Sequence, residues 1–99
     1  MIKRIVRMTF KPAELAGFFA MFERKKKAIR NFDGCHYLEV FQDKAQSNIV
    51  FTYSFWTDEA ALNKYRHSEL FKATWAETKA KFAEKPLAHT LVLYDIVRP

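Results

Sequence analysis

Asn48–Trp75, NIVFTYSFWTDEAALNKYRHSELFKATW, decides the fold. Its opening, Ile49 to Trp56, alternates Phe51, Tyr53 and Phe55 with Val50, Thr52, Ser54 and Trp56. β-Branched and aromatic residues at period two predict a strand. Thr57-Asp58-Glu59 ends it: Thr57 or Asp58 can accept from free amides as an N-cap, and the acidic pair suits a helix N-terminus. Leu62 and Tyr65 recur at i, i+3 on a short helix. Ser68 restarts the pattern, and Phe71, Trp75, Thr78 and Phe82 fall at i, i+4, i+7 and i+11, one face of a second helix. A strand ending in Trp, then two helices whose inner faces carry Tyr65, Phe71 and Trp75, can wall an aromatic pocket against a sheet.

Working outward, Ile2 to Phe10 predicts a first strand, with Ile2, Arg4, Val6, Met8 and Phe10 opposite Lys3, Ile5, Arg7 and Thr9. Lys11-Pro12 opens a helix, since proline is tolerated in the first turn where its missing N–H costs nothing. Leu15, Phe18, Phe19, Phe22 and Ile29 mark that helix's buried face. Asn31-Phe32-Asp33-Gly34 is a turn cluster. Cys35 to Gln42 predicts a second strand, with Cys35, Tyr37, Glu39 and Phe41 opposite His36, Leu38 and Val40. A polar hairpin loop, Asp43 to Asn48, leads into the central strand. On the far side, Glu84-Lys85-Pro86 breaks the helical pattern and Ala88 to Val97 predicts a last strand, apolar on both sides.

The order β-α-β-β-α-α-β fits an α+β ferredoxin-like sandwich, a four-stranded antiparallel sheet with its helices on one face. The 99 residues make one domain, 1–99, with no repeat or linker. Helices can cover only one face of the sheet, yet the central and last strands are apolar on both. The other face would expose several hundred Å2 of apolar surface, which soluble monomers rarely tolerate. At ~25 cal/mol per Å2 its burial outweighs other surface terms. An obligate homodimer through the sheet faces is the simplest answer.

Other classes recede. No apolar run approaches the ~20 residues of a membrane span, and Met1-Ile2-Lys3-Arg4 opens no signal peptide, so a cytoplasmic address is expected. Cys35 is the sole cysteine, so no intrachain disulfide is possible and a packing role is expected. The net charge of +6 could suit an anionic partner, but Arg24-Lys25-Lys26-Lys27 closes a helix, where cations complement the dipole, and the other basic residues are scattered. His36 and His89 sit in no metal-ligand spacing, and there is no glycine-rich phosphate loop or nucleophile elbow. No metal and no cofactor is expected.

Three stretches carry a family likeness: the turn Asn31-Phe32-Asp33-Gly34-Cys35, then Tyr53-Ser54-Phe55-Trp56-Thr57, then Tyr65-Arg66-His67-Ser68 with Leu70-Phe71. Across nearly its whole length the chain resembles the antibiotic biosynthesis monooxygenase family of dimeric α+β barrels. The resemblance implies two sheets facing each other between protomers and a pocket between each sheet and its helices. It implies cofactor-independent oxidation, with O2, of a small electron-rich aromatic of the quinol or anthrone kind. The family's heme degraders use an Asn, a Trp and a His where this chain aligns Val6, Tyr65 and Trp75, so heme degradation is not expected. Its polyketide-type members share the Trp at position 56, with an Asn and a Tyr where this chain has Thr52 and Leu62.

Such a reaction needs an apolar cavity, a group that deprotonates the phenol, and donors for the resulting anion. Tyr65 and His67 are the catalytic candidates, and Thr52, Trp56, Phe71, Trp75 and Arg4 the substrate-binding ones. Each has a plainer reading: core packing for the tryptophans, capping or solvation for His67 beside Ser68. Two alternatives stay open. A non-catalytic dimeric small-molecule binder or stress protein would carry the same residues. An RNA-recognition motif shares the element order and stacks bases on third-strand aromatics such as Phe51 and Tyr53. Against it, Gln46 to Val50 lacks the expected Gly and basic residue, so no nucleic-acid partner is expected.

Overall fold

The computed structural model describes all 99 residues. Strand β1 spans Ile2–Thr9, and a 3-10 turn at Pro12–Glu14 leads into α1, Leu15–Arg30. β2 (Cys35–Gln42) and β3 (Ile49–Trp56) form a hairpin, followed by α2 (Glu59–Arg66), α3 (Glu69–Lys79) and β4 (Leu87–Leu91). The sheet order is β2-β3-β1-β4, every neighbouring pair antiparallel. This is the four-stranded α+β ferredoxin-like architecture that the element order predicts.

The register fixes two faces. Arg4, Val6 and Met8 of β1 stand opposite Ser54, Thr52 and Val50 of β3, and Leu38 and Val40 of β2 join them across Ser54 and Thr52. Side chains alternate along each strand, so these residues share one face, and the helices pack on it. The core there falls into two clusters. One gathers Met8, Phe10, Phe18, Met21 and Val50; the other gathers Cys35, Trp56 and Leu62.

Local chemistry explains the corner between the helices. The Asp58 carboxylate accepts from the Ala61 amide at 2.8 Å, so Asp58, not Thr57, is the N-cap of α2. Ser68 Oγ accepts from the Phe71 amide at 3.1 Å and donates to the Tyr65 carbonyl at 2.6 Å. One hydroxyl therefore starts α3 and closes α2, which fixes the angle at which Tyr65 and Phe71 meet. At the other end, Gly34 adopts φ +90°, and a Cβ there would stand 2.6 Å from the Ala61 side chain. The turn before β2 thus packs directly on α2.

Three expectations need correction. The last strand does not run to Val97: pairing stops at Leu91 opposite Lys3, and Val92 onward has no strand partner. The alternation in β2 breaks at an irregularity between Cys35 and Tyr37, so Cys35 turns to the covered face while Tyr37 pairs with Phe55 on the bare one. The buried stripe of α1 also includes Met21, one turn from Phe18 and 2% exposed, which the aromatic pattern overshadowed.

Candidate functional site

Between the two core clusters lies a cavity of about 360 Å3, bounded by the sheet on one side and by all three α-helices on the other. Its size is in the range of ~300–1,000 Å3 usual for small-molecule sites. Trp56 forms its floor from the end of β3; the indole N–H donates to Ser54 Oγ at 3.0 Å, which satisfies the only polar atom of a side chain 2% exposed. Tyr65 stacks on Trp56 with centroids 4.8 Å apart and rings 28° from parallel. Phe71 meets Tyr65 edge-on at 5.2 Å and stacks on Trp75 at 5.8 Å. The helical spacing 71, 75 and the strand-end Trp thus deliver a continuous aromatic wall.

Six of the seven residues singled out from the sequence line this cavity: Arg4, Thr52, Trp56, Tyr65, Phe71 and Trp75. His67 does not. It is the exposed C-cap of α2, its Nδ1 2.7 Å from the Asn63 carbonyl oxygen, which is the capping role weighed against catalysis. Phe82, the outer member of the α3 pattern, lies past the helix end, where its ring packs on Phe10 at 5.4 Å.

The cavity is graded in polarity. Arg4 and Met8 are four residues apart on β1, hence about 13 Å apart along the wall. At the Met8 end the neighbours are Phe18 and Met21; at the Arg4 end they are Ser54 and a second guanidinium, that of Arg66. Arg66 is absent from the residues the sequence pattern singles out, although its place four residues after Leu62 on α2 puts it on the inward stripe. Most lining hydroxyls are committed: Thr74 donates to the Leu70 carbonyl and Thr78 to that of Thr74, both at 2.7 Å. The side-chain hydroxyls of Thr52 and Tyr65 have no partner within the protein, which leaves them free for a ligand.

Burial pushes the Tyr65 phenol well above its ordinary value, with the nearby Cys35 adding in the same direction. Tyr65 therefore stays protonated at neutral pH and can donate a hydrogen bond, but it is a poor base. Arg4 is pulled below the usual guanidinium value, first by burial and then by Arg66, with Glu59 offsetting part of the effect. No His, Asp, Glu or Lys lines the cavity, and nowhere do three His, Cys, Asp or Glu side chains converge. No helix is long and apolar enough to cross a membrane.

The fold matches known structures closely. A crystal structure of an antibiotic biosynthesis monooxygenase superposes with a TM-score of 0.90 at 18% identity, covering 96% of this chain and 100% of the other. A conserved protein from Methanosarcina mazei Go1 gives 0.86 at 18% identity, covering 91% and 89%. Rv0793 from Mycobacterium tuberculosis gives 0.88 at 15%, covering 98% of each chain. No curated protein matches by sequence. Identities this low speak for the fold, while membership rests on the sequence: the family model for antibiotic biosynthesis monooxygenase matches residues 1–77, from β1 through most of α3. The chain belongs to the antibiotic biosynthesis monooxygenase family.

Proposed function

We propose that the protein is a cofactor-independent oxygenase that oxidises a small, electron-rich phenolic aromatic, quinol- or anthrone-like, with O2. The observation that carries this reading is the cavity itself: Trp56, Tyr65, Phe71 and Trp75 wall a space that fits a flat ring, with the free hydroxyls of Thr52 and Tyr65 on its lining. Those hydroxyls would donate hydrogen bonds to oxygen substituents of the ring. The ring, as its anion, passes an electron to O2, and the apolar surroundings keep water from the radical pair. For a methylene carbon of the anthrone kind, one oxygen atom becomes the new carbonyl and the other leaves as water with the two hydrogens. A quinol likewise takes one oxygen atom at a ring C–H, giving the hydroxyquinone, while the other oxygen leaves as water.

Chelator-treated protein, offered a panel of hydroquinones and anthrones in an oxygen electrode, should consume O2 above autoxidation in proportion to enzyme. A silent panel removes the oxygenase reading. A second reading, a non-catalytic binder of aromatics, draws on the lack of any carboxylate, imidazole or amine on the cavity lining to accept a proton, and ligand binding without O2 uptake would establish it.

The same proposal includes a homodimer through the bare sheet face. Phe41 is 48% exposed there and Tyr37 37%, while the unpaired segment after β4 leaves Tyr94 fully exposed and Val97 88% exposed. A second copy would cover these side chains. Light scattering at micromolar concentration should show twice the chain mass of 11.7 kDa. A folded single-chain species at that concentration would refute the dimer.

A further inference from the structure

We infer that the cavity takes its aromatic ligand as an anion, a ring phenolate or carboxylate seated at the guanidiniums of Arg4 and Arg66. The inference rests on the cavity being the ligand site proposed above. The only formal charges on the cavity lining are these two cations, one from β1 and one from α2. The two are near enough that the Arg66 charge disfavours the charged form of Arg4, after burial the next cause of its lowered pKa.

Their present partners leave capacity for more. Arg4 Nη1 donates to a neutral group, Thr90 Oγ1 of β4, at 3.0 Å. Arg66 is held by Asn63 Oδ1 and, at 3.5 Å, by Glu59 Oε1, both on its own helix. Glu59, its side chain 60% exposed, pairs with Arg66 and offsets only part of what lowers Arg4. Each guanidinium has five N–H donors in a planar fork, so several remain unused. Two like charges beside an apolar wall repel, and a ligand anion would relieve that repulsion while satisfying the free donors.

The second line of argument is the missing base. Tyr65 is held protonated, His67 lies outside, and no carboxylate or imidazole lines the cavity. A phenol therefore has no protein group there to take its proton. What the cavity can do is bind the phenolate that solution already supplies and lower the phenol's pKa by favouring its charged form. Charge selection thus replaces proton abstraction, and the pH profile of binding should follow the ligand's own ionisation.

Two redox-inert probes of equal shape test this, 2-naphthoate and 2-naphthamide, by titration calorimetry. The anion should bind about tenfold or more tighter than the amide. Arg4→Gln and Arg66→Gln should each shrink that preference, their folding checked by thermal unfolding. In wild-type protein, which needs no variant, 4-nitrophenol should ionise about one unit or more lower when bound, read from the visible absorbance of its anion. Equal affinity for the two naphthalenes overturns the anion seat but leaves the aromatic pocket standing. A preference that survives both arginine variants, or a nitrophenol pKa unchanged or raised, also overturns it. If neither naphthalene binds, the pocket reading falls and this inference with it.

Discussion

On the covered face of the sheet, aromatic rings surround a space; on the bare face, they fill each other's edges. Trp56 and Phe55 are chain neighbours and face opposite ways. Trp56 is sealed at 2% exposure under α2, its one donor satisfied. Phe55 stacks on Tyr37 at 4.6 Å, meets Tyr53 edge-on at 5.2 Å and carries the Lys3 ammonium 4.7 Å above its ring. The covered face leaves hydroxyls and guanidiniums around a cavity of the size usual for small-molecule sites. The bare face is a patch of rings packed edge and face on one another, a surface suited to another flat surface. Aromatic content alone does not distinguish binding from assembly; what matters is whether helices bridge above the rings.

That contrast can be broken most severely at Trp56. Trp56→Ala should cost about 3–5 kcal/mol of stability in urea unfolding, because it removes a buried side chain from the junction of cluster and cavity. Phe55→Asp should leave each protomer folded but weaken self-association by about 100-fold or more, read as a concentration-dependent mass by light scattering. If Phe55→Asp unfolds the protomer instead, the bare face is part of the core and the contrast fails.

Smaller effects sharpen it. Tyr65→Phe keeps the ring stack and removes one uncommitted hydroxyl, so stability should hold within about 0.5 kcal/mol. Turnover should fall about 10- to 100-fold if that hydroxyl holds the substrate anion, as lost charged hydrogen bonds of about 1.5–3 kcal/mol imply. In alkali, Tyr65 has a folded pKa raised above its ordinary value of 10.0. The stability it contributes is complete below that value and drains away as pH rises from it toward the folded pKa, because only the unfolded chain then ionises the phenol. Urea midpoints of wild type should therefore drop above about pH 10 more steeply than those of Tyr65→Phe. The smallest change is expected from Thr52→Val, below about 1 kcal/mol in ligand binding and near zero in stability.

Much of this was readable from the chain, for reasons that differ by residue. β2, β3 and the start of α2 could be placed because alternation and an Asp58 cap are local signals. The wall of Tyr65, Phe71 and Trp75 could be placed because helical spacing fixes which side chains share a face. The end of β4 could not: alternation continues to Val97, but a strand is only as long as its partner, and β1 runs out at Ile2. The side taken by Cys35 was hidden for a related reason, since one irregularity near His36 inverts everything before it and leaves no trace in residue type. His67 drew notice as an imidazole, yet its neighbour Arg66 faces the cavity. One helical position, 100° around the axis, separates the two.

The sheet order also sets a timetable. β2 and β3 can meet across a short loop as soon as both exist, whereas Arg4 must wait for Thr90, 86 positions later, before its hydrogen bond can form. Closing so long a loop is slow and comes late when non-local contacts dominate a topology. Ala88 and Pro86, which complete the cavity, arrive with that same strand. β4 is also the last strand to leave the ribosome, so every residue of the aromatic wall is made before the two that close this flank.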